Sequence, residues 1–99
     1  MQHDHGENLA LGYNTPDSVC SAWGASERAG YSYNPSSGFA SATGHFTQMV
    51  WRDTERVGCA SVHCPAMAGS SVVAGLFVVC HYEPPGNFPG RFESNVLEP

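Results

Sequence analysis

At 99 residues, with 41% hydrophobic and 13% charged side chains, the chain is sized for one domain over 1–99 and is too apolar for disorder. A net charge of −5 with only four Lys+Arg excludes nucleic acid or an anionic membrane as an electrostatic partner. Four cysteines, 11 Gly and 7 Pro fit a small, loop-rich, extracellular disulfide domain, yet no apolar signal region follows Met1, so the chain reads as lacking an N-terminal part; no stretch approaches a membrane span.

Met1–Glu7 is short and polar. His3, His5 and Glu7 alternate, so an extended segment puts all three on one face. Asn8–Tyr13 reads as a mildly apolar lead-in. Thr15-Pro16-Asp17 is a helix start, with Thr at the N-cap, Pro at N1 and an acid in the first turn. Val19, Ala22 and Trp23 form its inward stripe, and Gly30 ends it near Arg28. Cys20 lies one position round from Val19 and is compatible with a buried thiol or a bridge.

Tyr31–Ser41 is a loop, marked by Asn34-Pro35 and Ser36-Ser37-Gly38. It carries Tyr31, Tyr33 and Phe39 and no charged residue. Two readings stand: the rings pin the loop to the core, or they form a lipid-contacting surface. Gly44–Trp51 follows as a helix whose apolar face is Phe46, Met49 and Val50, at i, i+3, i+4. A core accounts for those residues and asks nothing of His45, Thr47 or Gln48. Arg56–Cys64 and Val72–Tyr82 read as two strands of an antiparallel hairpin joined by a short turn-rich link. Pro84-Pro85-Gly86-Asn87 forbids regular structure. Phe88 and Phe92 are expected to fold back over the core.

Nucleophile elbows, phosphate loops and His-Glu-x-x-His helices are absent from the sequence. Cys59-x4-Cys64 with Cys80-His81 has the donors of a zinc site. Its competitor is a Cys59–Cys80 bridge, which suits residues on neighbouring strands. A second zinc possibility is distributed: His45, with His3 or His5 and the acids Glu7 and Glu27, lining one cleft.

Gly44–Trp51 (GHFTQMVW) and His81–Gly90 (HYEPPGNFPG) closely resemble the two signature motifs of the CAP superfamily, which holds cysteine-rich secretory proteins, venom allergens and plant pathogenesis-related proteins. Gly6–Tyr13 (GENLALGY) resembles a third conserved stretch, and Trp23 with Glu27-Arg28, Tyr31 and Tyr33 a fourth. The matches run nearly end to end and in family order. GENLALGY with Gly38-Phe39-Ala40-Ser41 looks most like the fungal, yeast-type branch that binds and exports sterols.

The resemblance implies an α+β fold, an α-β-α sandwich with an antiparallel sheet, here without the family's first helix and strand. Such a chain lacks one layer over its sheet and exposes apolar surface. The resemblance also implies a cleft of two His and two Glu that holds Zn²⁺. By motif these are His45, Glu7, Glu27 and His3, with His5 as competitor. It implies a Cys59–Cys80 disulfide, with Cys64 free or paired with Cys20. In sterol-binding relatives an aromatic loop follows the Trp helix. Tyr31 and Tyr33 fit its first two positions, whereas Phe39 comes one residue late because Asn34–Gly38 spans five.

The function that follows is a secreted, monomeric binder of sterol or fatty acid. Two other classes are open: a metal-dependent hydrolase with Glu7 or Glu27 as base, and a defence or signalling ligand acting through its surface.

Overall fold

A computed structural model describes residues 5–64 and 75–99. In chain order it contains strand β1 (Gly6–Tyr13), helix α1 (Pro16–Ser21), a π-helical turn (Ala22–Ser26), helix α2 (Gly44–Met49), strands β2 (Arg56–Cys64) and β3 (Gly75–Glu83), and a one-turn helix α3 (Phe92–Asn95). The strands form an antiparallel sheet in the order β1-β3-β2, which makes β3 central. The fold is α+β.

The first helix begins as its residues dictate. Thr15 accepts from the Ser18 backbone N–H at 3.2 Å, the Ser18 side chain answers to the Thr15 backbone, and Pro16 opens the helix. Val19 and Trp23 face inward and are buried. Cys20 points away, exposed, with a free thiol, so it is neither buried nor bridged.

Asn8–Tyr13 is more than a lead-in. It belongs to β1, because β3 supplies a partner more than sixty positions further along the chain: Asn8 lies opposite Cys80 and Ala10 opposite Val78. The local sequence holds no trace of that partner. The β2–β3 hairpin forms as expected, with Val57 opposite Tyr82 and Cys59 opposite Cys80. Val72 and Val73 of the expected second strand lie outside the described residues. Cys59 and Cys80 are disulfide-bonded, with Cα atoms 4.1 Å apart.

Two buried clusters form. Ala10, Val19, Trp23, Val78, Cys80 and Tyr82 pack between the first helix and one face of β1 and β3. Tyr31, Phe46, Trp51, Phe92 and Val96 pack around α2 and α3. Phe92 folds back and meets Trp51 edge-to-face at 5.0 Å, but Phe88 stays exposed. On the opposite face of the sheet Leu9, Leu11, Val62 and Phe77 are exposed. The described helices therefore cover one face only, and the other presents exposed apolar side chains.

The inward face of α2 differs from its hydrophobic pattern. Phe46 is buried, but Met49 and Val50 are exposed, while Thr47 and Gln48 are almost completely buried. Hydrogen bonding outweighs apolar periodicity here. The Thr47 hydroxyl donates to Asn87 Oδ1 at 2.6 Å. Gln48 Oε1 accepts from the Gly86 backbone N–H at 2.9 Å, and Gln48 Nε2 donates to Thr54 Oγ1 at 3.3 Å. Both polar side chains are thus satisfied, which removes the cost of burying them. Gly6 and Gly86 flank Gln48 so closely that a Cβ on either would meet its amide group, so only glycine fits at both positions.

Candidate functional site

Glu27 and His45 come together at the start of α2. One Glu27 oxygen, Oε1, accepts from the backbone N–H groups of His45 (3.0 Å) and Phe46 (3.1 Å). The other, Oε2, lies 2.7 Å from His45 Nδ1. The carboxylate therefore caps α2 from a distant element, satisfying N–H groups that have no partner within the helix. A carboxylate only accepts, so a neutral His45 carries its proton on Nδ1 and keeps the lone pair on Nε2. Trp23 stacks on the same ring, with centroids 5.5 Å apart and planes 9° apart. Charge, hydrogen bond and stacking thus fix one imidazole in one tautomer and one orientation.

Asn8 ties this corner to the sheet. Its Nδ2 donates to the His45 carbonyl at 3.1 Å and to the Tyr82 hydroxyl at 3.2 Å. Burial holds the Tyr82 phenol above its ordinary value near 10.0, outweighing the opposing effect of the Asn8 hydrogen bond; Cys20 adds to the rise.

Glu7 and His45 line a small cleft of about 230 Å³ with Asn8, Phe39, Ser41, Gly44 and Asn87. The Glu7 carboxylate is engaged elsewhere: its Oε2 lies 2.8 Å from His81 Nε2. His3 lies outside the described residues. Of the expected ligand set, then, Glu27 and His45 are joined, Glu7 shares their cleft but turns to His81, and both Glu27 oxygens are occupied. The described residues place a single nitrogen donor, His45, in that cleft, so they do not by themselves fit a zinc ion there. The alternative built on Cys59, Cys64, Cys80 and His81 is overturned, because the disulfide consumes two of its thiolates.

As a donor, His81 stands out in the sequence only in that cysteine context; it also opens the His81–Gly90 motif. What could have singled it out is its place opposite Glu7 in the sheet, which is visible only once Gly6–Tyr13 is recognised as a strand.

The aromatic loop divides. Tyr31 is in the core, against Phe46, with its hydroxyl 2.9 Å from Ser36 Oγ. Tyr33 meets Tyr31 edge-on at 5.1 Å and is half-buried. Lipid contact by Tyr31 is therefore not what the packing offers. Phe39 is 60% exposed, and its ring lies over Gly44 at the mouth of the His45 cleft.

Among the described residues, no helix is long and apolar enough to cross a membrane.

Protein PRY2 of Saccharomyces cerevisiae is 44% identical over 94 residues, covering 94% of this chain and 26% of that protein. Secreted protein RBT4 of Candida albicans is 42% identical over 115 residues, covering all of this chain and 29% of its own length. The basic form of pathogenesis-related protein 1 of Nicotiana tabacum is 39% identical over 104 residues, covering 99% of this chain and 54% of its own. The chain thus spans between about a quarter and a half of these relatives. The profile of the cysteine-rich secretory protein family, CAP, matches residues 2–82. The chain belongs to the CAP family.

Proposed function

We propose that the chain is an extracellular lipid-binding CAP domain whose ligand is a sterol or a similarly flat small lipid. The observation that carries this reading is Phe39, a large ring left 60% exposed on a loop with no charged residue between Tyr31 and Ser41. An aromatic ring covers a flat apolar face without desolvating charge, and its burial contributes ~1–3 kcal/mol. Tyr33, half-buried beneath the same loop, supplies a second edge. Tyr31 serves as the anchor that holds the loop on Phe46.

An extracellular setting is supported by the disulfide and by a relative whose name describes it as secreted. The apolar ligand also agrees with the low content of charged residues.

The test is saturable binding of tritiated cholesterol to the chain, with Tyr33→Ala/Phe39→Ala as the variant. Binding should fall at least tenfold while the circular dichroism spectrum is kept. Undiminished binding by the folded variant would move the ligand to another surface, such as an apolar groove between helices suited to a fatty acid.

A further inference from the structure

We propose that the cavity between Trp51, Pro84-Pro85 and Phe88, with Asp53 and Arg91 at its rim, binds a free α-amino acid that carries an aromatic side chain. This cavity shares no lining residue with the His45 cleft and does not rest on the lipid reading.

Three segments build it. Trp51 lies just past α2, buried, with its ring edge-to-face on Phe92 at 5.0 Å. Pro84-Pro85 leaves the end of β3 as a stiff wall, because each proline fixes its own backbone. The Arg91 N–H donates to the Phe88 carbonyl at 3.1 Å, a turn that holds both residues at the start of α3. The enclosed volume is about 350 Å³, at the small end of the range for small-molecule sites.

Asn95 sets the place of the charges. Its side chain is almost completely buried and lines the same cavity. Oδ1 accepts from the Asp53 backbone N–H at 2.9 Å, and Nδ2 donates to the Arg91 carbonyl at 3.0 Å. The Arg52 N–H also donates to the Asn95 carbonyl at 3.0 Å. One amide group thus clamps the loop after α2 to the start of α3 and sets Asp53 and Arg91 beside each other. Their side chains nevertheless do not pair. Among the described residues, neither the Asp53 carboxylate nor the Arg91 guanidinium has an ion-pair or hydrogen-bond partner.

Two neighbouring, unmatched charges of opposite sign beside an apolar space select their ligand by complementarity. A simple carboxylate satisfies Arg91 and is repelled by Asp53. A simple amine does the reverse. An α-amino acid holds ammonium and carboxylate on one carbon and answers both at once. Its aromatic side chain then lies against Trp51 and Phe88, rings that favour edge-on or offset contacts. The simpler account is that Phe88, 45% exposed, is one of the solitary apolar side chains common on protein surfaces. That account gives no reason for a buried asparagine that holds two unpaired charges at the mouth of the cavity.

Titration of the isotope-labelled chain with L-phenylalanine, followed by nuclear magnetic resonance, tests the proposal. A saturable shift of the Trp51 indole N–H is expected, with that of Trp23 unmoved. L-alanine, which keeps the charged head and lacks the ring, should bind at least tenfold more weakly. Arg91→Gln should weaken phenylalanine and phenylpropionate at least threefold and leave phenethylamine unchanged. Asp53→Asn should weaken phenylalanine and phenethylamine to a similar extent and leave phenylpropionate unchanged. Both changes are at exposed side chains and keep the backbone groups that Asn95 binds. No Trp51 shift up to millimolar phenylalanine, wild-type affinity in both folded charge variants, or alanine bound as tightly as phenylalanine would each overturn the assignment. Sterol binding unaltered in Arg91→Gln is expected, so failure of the lipid reading and failure of this site are read from different variants.

Discussion

The two faces of β1 and β3 carry similar numbers of apolar side chains and have opposite fates. On one face Ala10, Val78, Cys80 and Tyr82 lie beneath Val19 and Trp23. On the other, Leu9, Leu11 and Phe77 stand exposed beside Val62 of β2. Strand alternation alone explains which residue goes to which face. It does not explain why both are apolar. An antiparallel sheet that meets water on one side normally alternates apolar with polar residues. Here the side chains of both faces suit burial, and the described helices cover only one. The comparison teaches that the covered face carries the stability of this chain, while the open face carries little of it.

The largest test of that asymmetry is Trp23→Ala. Trp23 is buried, closes the first cluster and stacks on His45. Its loss should cost ~3–5 kcal/mol, as for other large core truncations, measured as a lowered urea midpoint. A change below ~1 kcal/mol would mean that the covered face is not the main support.

A smaller effect is expected at high pH. The Tyr82 phenol is raised by burial in the folded chain, so the unfolded chain releases this proton first as pH rises. The sign follows: the contribution of Tyr82 is complete below the ordinary phenol value of 10.0, and is lost progressively as pH climbs from there through the higher folded value. Stability measured against pH should fall over that range, and Tyr82→Phe should flatten the fall. An equally steep fall in the variant would assign the effect to other groups.

The smallest change should come from the open face. Leu9→Thr, Leu11→Thr and Val62→Thr alter side chains that are 45%, 43% and 60% exposed. Each should shift stability by no more than ~0.5 kcal/mol. Binding of an apolar dye such as anilinonaphthalene sulfonate should drop in the triple variant. Losses near those of Trp23→Ala would show that this face is covered in solution.

What the sequence disclosed follows the same division between local and distant causes. The Thr15-Pro16-Asp17 helix start and the β2–β3 hairpin were legible, because caps, proline and alternation act within a few residues. The cysteine pair was legible from strand adjacency together with family resemblance. Three features were not legible. β1 is made a strand by a partner far along the chain. Thr47 and Gln48 are drawn inward by Gly86 and Asn87, against an apolar stripe that favoured Met49 and Val50. The contact of His81 with Glu7 follows only from their standing opposite each other in the sheet. For the His45 corner, motif similarity named Glu27 correctly as a neighbour, but its capping of α2 required coordinates.

The Cys59–Cys80 link has one more consequence. No side chain from Arg56 to His63 of β2 is buried, so burial does little to say how this outer strand should align with β3. Sliding it by one residue would turn every side chain over with almost no loss of covered area. The sulfur bridge removes that freedom. Cys59 reaches Cys80 only when Val57 stands beside Tyr82 and Val62 beside Phe77. The bond thus acts as a ruler for a strand that burial does little to align, and it agrees with the Arg56–Glu83 ion pair at the strand's start.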